Sequence, residues 1–111
     1  MFFKKLLILS AILFSAPLFA QECVQPTAPG IPSGRSASEE EMRETLDAVK
    51  NYLAVNMAFR ECVDKQLQAI GDNTDHPLYD ILKEAHQDSE ITEELVADTF
   101  NTQLRIYKST H

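Results

Sequence analysis

Two stretches of this chain, residues 38–70 and 78–108, run without a glycine or a proline and are close to equal in length. In the first, Met42, Leu46, Val49, Leu53, Asn56, Arg60, Val63, Leu67 and Ile70 recur at alternating steps of four and three. In the second, Leu78, Leu82, Ala85, Ser89, Thr92, Val96, Thr99, Gln103 and Ile106 keep the same rhythm. That spacing is the seam of a helix packed on another helix, and it excludes a strand over either stretch. Ser38 followed by Glu41 is a capping box, and Glu39, Glu40 and Glu41 suit the positive end of a helix dipole. Gly71 stops the first run, the polar "GDNTDHP" reads as a turn, and Pro77 is favoured at a first helical position. The expectation is all-α: an antiparallel hairpin of helix 38–70, turn 71–76 and helix 77–108 within a domain of residues 38–111. The second helix reads as one rod. A bend or break near 88–92 is the alternative, because Ile91, Thr92 and Val96 could form a staple around a second start.

The first helix carries a further apolar stripe, Ala48, Tyr52, Val55, Phe59 and Cys62, beside the seam rather than opposite it. One partner helix cannot cover both. Upstream, "CVQPTAPGIPSG" places Pro26, Pro29 and Pro32 three residues apart, the period of a polyproline II helix. From Cys23 to Ser38 such a segment reaches about 46 Å at roughly 3.1 Å per residue. The helix rises about 36 Å from Ser38 to Cys62. A strap over residues 21–37 can therefore turn back at Gly34, run antiparallel along the stripe, and bring Cys23 to Cys62. Its expected contacts are Pro26 against Phe59 or Val55 and Pro29 against Tyr52 or Ala48. The closed loop would contribute on the order of 4 kcal/mol on the chain-entropy account.

The front of the chain, "MFFKKLLILSAILFSAPLFA", has two lysines, a short apolar run and small residues. That is the layout of a secretory signal peptide over residues 1–20, too short for comfortable membrane spanning. A disulfide suits the oxidising compartment such a leader implies, periplasmic or secreted. Losing Lys4 and Lys5 takes the net charge from −7 to −9. An acidic chain without clustered Lys or Arg is poorly suited to nucleic acid, and no membrane insertion is expected once the leader is gone.

Folding the hairpin about residue 74 sets Arg60 opposite Ser89 and Asn56 opposite Thr92. Polar layers of this kind fix register; the sharper alternative is a small polar site with Arg60 as an anion contact, which Asp88 or Glu93 could also satisfy. His76 beside Asp72 and Asp75 reads as part of a capped turn rather than a calcium loop, whose spacing is lacking. His86 falls beside the seam. Neither a phosphate loop, a His-Glu-x-x-His pair nor a Gly-x-Ser-x-Gly elbow is present. The chain is expected to have no catalytic, cofactor or metal residues and not to be an enzyme.

Together, the cysteine-led proline segment, "EEEM", "VKNYL…FREC" and the ending "FNTQLRIYK" resemble a group of small exported helical proteins of Gram-negative bacteria. The resemblance covers nearly all of the chain after the leader, and implies an envelope location and a helical fold without an activity. This chain departs from it in the polar middle of its second helix. Near the end of that helix, Leu95, Phe100, Leu104 and Tyr107 form a candidate interaction surface, unless the strap and Ile31 with Met42 cover it. The expected role is a non-catalytic periplasmic interaction or scaffold protein, taking a protein partner or forming a homo-oligomer. The alternatives are a chaperone-like binder of exported clients and, less favoured, a metal-binding or catalytic protein.

Overall fold

A computed structural model describes residues 22–111, so the expected leader at 1–20 lies outside the described residues. Among the described residues two helices make up the regular structure: α1 spans Glu39–Ile70 and α2 spans Tyr79–Thr110, 32 residues each. No strand occurs among the described residues. No described helix is long and apolar enough to cross a membrane.

The start of α1 follows its local chemistry. The Ser38 hydroxyl accepts from the Glu41 backbone N–H, and the Glu41 carboxylate accepts from the Ser38 N–H, both at 3.0 Å. Two donors that a helix start leaves unpaired are thereby satisfied. At the other end, Gly71 takes φ 65°, a conformation that costs a side chain but not glycine, and its N–H bonds the Leu67 carbonyl at 3.0 Å.

α2 begins two residues later than expected. The Tyr79 N–H bonds the His76 carbonyl at 3.0 Å, so Pro77 lies inside a closing turn, where its missing N–H leaves nothing unpaired. The helix then runs without interruption through residues 88–92. Ser89, in the middle of that stretch, is fully buried and bonded across to α1, which ties the segment into the seam. At the far end, the Ser109 and Thr110 hydroxyls donate back to the Ile106 carbonyl at 2.9 Å, and the helix outlasts its expected end at 108.

The core divides into two clusters. Away from the turn, Ala37, Met42, Val49, Tyr52, Val96 and Phe100 are buried together, with Ile31, Leu53, Leu104 and Tyr107 against them. Nearer the turn, Phe59, Val63 and Leu82 are buried with Cys23, Leu67, Ile70 and Ala85 around them. The strap residues Ile31, Ala37 and Cys23 thus belong to the core.

The strap is held at both ends. Cys23 and Cys62 form a disulfide with their Cα atoms 5.6 Å apart. At the other end the chain turns at Ser33, whose carbonyl accepts from Ala37 N–H at 2.9 Å. There the Gly34 N–H donates to the Gln103 side-chain carbonyl at 2.8 Å. The turn therefore docks on α2, while the tip is bonded to α1.

Candidate functional site

Between the two apolar clusters lies a polar layer. Asn56 and Ser89 are each fully buried. The Asn56 amide donates to the Ser89 backbone carbonyl at 3.0 Å and to Glu93 Oε1 at 3.3 Å. The Ser89 hydroxyl donates back to Asn56 Oδ1 at 2.8 Å. Arg60 Nη1 donates to Ser89 Oγ at 3.2 Å and to Glu93 Oε1 at 3.0 Å. Arg60 does face Ser89, and the hydrogen bonds of Asn56 run to Ser89 and Glu93, not to Thr92. A seam residue enters a hole formed by several facing residues, so pairing by opposite number misses its true neighbours.

Glu93 answers the Arg60 guanidinium directly, with the two side chains 16% and 30% exposed. The Arg60 charge is thereby paired inside the hairpin, and the layer ties α1 to α2 at mid-length. Beside it stands Tyr52, 3% exposed, its hydroxyl buried without a hydrogen-bond partner. Burial foremost, then the Glu93 carboxylate, pushes the Tyr52 phenol above its usual range, and Arg60 pulls it part of the way back.

Toward the turn, the Leu78 N–H donates to His76 Nδ1 at 3.1 Å, so His76 caps its own turn. His86 lies between two carboxylates, with Nε2 3.2 Å from Asp64 Oδ1 and Nδ1 2.9 Å from Glu90 Oε1. Glu90, four residues on along the same helix face, is readable in the sequence; the contact with Asp64 requires the hairpin. These groups border an open, mostly acidic groove with Asp80, Lys83 and Glu84. Among the described residues, no three His, Cys, Asp or Glu side chains are grouped to hold a metal ion.

The candidate interaction surface needs correction. Phe100 is 5% exposed within the larger core cluster, and Leu104 and Tyr107 pack against it. Ile31 and Ala37 from the strap, with Met42 from the start of α1, close that end of the hairpin. Tyr107 also stacks on His111, ring centroids 4.2 Å apart. Of the four, only Leu95 stands in solvent. The apolar side chains that do so with it include Met57, Ile81 and Ile91, which lie off the seam, and Leu46 and Leu78, which the seam pattern expects to be covered and which sit near the ends of the hairpin.

The strap contacts divide along the helix. Cys23, Pro26, Pro29 and Pro32 are half-buried, whereas Val24, Gln25, Thr27 and Ala28 are exposed. Pro29 and Pro32 border a shallow groove with Glu41, Glu44, Thr45 and Ala48. Tyr52 and Phe59 are buried, but Val55 remains 42% exposed. Val55 and Ala48 sit further round α1 from the seam than Tyr52 and Phe59 do, so the apolar stripe is wider than the cover over it.

The fold and this interior define a disulfide-fastened, two-helix hairpin with a polar layer at mid-length. No protein-family model matches the chain, and no curated protein or solved structure matches it either.

Proposed function

We propose that the chain is a non-catalytic interaction or scaffold protein, exported to the periplasm or secreted, whose partner is another protein or a second copy of itself. The observation that carries this reading is the pair Ile91 and Leu95, 60% and 64% exposed and one turn apart on α2. A hairpin that buries Tyr52, Phe59 and Phe100, yet leaves these two side chains in water, offers a stiff apolar ridge. Rigid presentation of such a ridge lowers the entropy cost of association. The disulfide and the leader-like start support export, as does the resemblance to small exported helical proteins of Gram-negative bacteria. The three-residue alternation of half-buried and exposed positions from Cys23 to Pro32 supports a polyproline-II-like strap.

A photo-crosslinking residue at position 95, introduced in cells, tests the role. The expected product is one discrete adduct, with a single protein or with the chain itself, that disappears when Ile91→Glu is added. Many unrelated adducts would replace the scaffold by a chaperone-like binder. No adduct, together with a monomer by light scattering, overturns both.

A further inference from the structure

The two fastenings of the strap differ in chemistry. Around its turn the strap is packed: Ile31 and Ala37 belong to the core cluster, and Gly34 lies flush against the α2 backbone. Residues 24–30 make no hydrogen bond or ion pair to the hairpin among the described residues, and Val24 is 77% exposed. Between the two parts, Gly30 has nothing within 4 Å of where a Cβ would stand. Residues 23–30 are thus fastened by the one covalent bond and by the packing of the half-buried Pro26 and Pro29.

That bond can be approached from outside. On the outer face of α1 a shallow groove is lined by Ala58, Glu61, Cys62, Lys65, Gln66 and Ala69. Cys62, itself half-buried, forms part of the groove wall between the small side chains at 58 and 69.

We propose that the Cys23–Cys62 disulfide is a thiol–disulfide exchange site, reached through this groove by a dithiol reductant, and that its reduction unlatches residues 23–30 while residues 31–37 stay docked. A thiolate of the reductant attacks Cys62 Sγ and forms a mixed disulfide. The electron pair of the broken S–S bond leaves on Cys23, which takes up a proton. The second thiol of the reductant, as its thiolate, then attacks the reductant sulfur of the mixed disulfide and expels the Cys62 thiolate, which is protonated in turn. Two cysteine thiols are gained and the reductant leaves as its own disulfide. Release of the tip uncovers the side of α1 that carries Phe59. The device does not depend on the interaction role proposed above.

The test compares a small dithiol, dithiothreitol, with a thioredoxin-type protein dithiol on the native oxidised protein. Both are expected to produce two titratable thiols without denaturant. Backbone NMR relaxation should then show residues 24–30 becoming mobile while Ile31 to Ala37 keep their order. Ala58→Phe and Ala69→Phe, at exposed positions, should slow the protein dithiol severalfold and leave dithiothreitol and the helical circular dichroism unchanged. Thiols that appear only in denaturant, a tip that stays rigid once reduced, or bulky groove variants reduced at the wild-type rate would each overturn the proposal. The variant Cys23→Ser with Cys62→Ser gives the unlatched state without reductant and should reproduce the same relaxation pattern; a rigid tip in that variant also overturns it.

Discussion

Gly34→Ala probes the docking of the strap on α2 with a single carbon atom. A Cβ at this position would overlap the Gln103 carbonyl oxygen and lie 2.8 Å from the Tyr107 backbone nitrogen. Both are main-chain atoms of a continuous helix, so the strap must lift. Lifting it lengthens the 2.8 Å bond from Gly34 N–H to Gln103 and loosens Ile31 and Ala37 in the core. Forcing a methyl into a filled site costs about 1–3 kcal/mol, and the weakened hydrogen bond about 1 kcal/mol more. Against this, alanine restricts the unfolded chain by about 0.4–1 kcal/mol. The net loss is about 2 kcal/mol, or roughly 10 °C in melting temperature for a domain of this size. Urea unfolding followed by circular dichroism, with the disulfide intact, measures it. Gly30→Ala is the control: neither glycine has positive φ, and Gly30 has open space around it, so that substitution should be neutral or stabilising by up to about 1 kcal/mol. A Gly34→Ala protein within about 0.5 kcal/mol of wild type, the ordinary range for surface substitutions, would refute the docking argument.

Replacing both cysteines by serine removes a cross-link of sequence separation 39 and should cost on the order of 4 kcal/mol in urea unfolding, and a loss below about 1 kcal/mol would show that packing alone holds the strap. Asn56→Ala takes partners from Ser89 and Glu93 in a buried layer and should cost about 2 kcal/mol by the same measurement, whereas Gln87→Ala on the exposed surface should change little. Tyr52 should ionise above the ordinary tyrosine value of 10.0 in an absorbance titration, further above it in Arg60→Met and less far in Glu93→Gln. Because the folded state holds that proton more tightly, the associated stability is complete below the unfolded pKa and is lost as pH rises through the folded one. A Tyr52 midpoint at or below the ordinary value refutes the burial argument.

Much of the architecture is set by short-range chemistry and can therefore be read along the chain. Ser38 and Glu41 lie three residues apart and cap the helix wherever it sits; Gly71 ends it for a reason of its own backbone. The four-three spacing identifies the faces that must meet, and the reach of an extended segment against the rise of a helix brings Cys23 to Cys62. Such statements need only bond geometry and periodicity. Phe100 shows where that method stops. An excess of apolar residues near the end of α2 is visible in the sequence, but whether they face a partner or the strap depends on three segments meeting at one place.

The sequence by itself determined two long helices, the cap on the first, their antiparallel seam and the cross-link, because each follows from spacing along one chain. Only the tertiary structure decided the rest: Asn56 seated against Ser89 and Glu93, His86 bridged to Asp64, and Gly34 pressed on the backbone of α2. Those contacts join residues distant in the chain, and their partners depend on sub-turn differences in stagger and rotation between packed helices. Residue order does not encode such differences directly; they emerge from the fit of the side chains once the hairpin has closed.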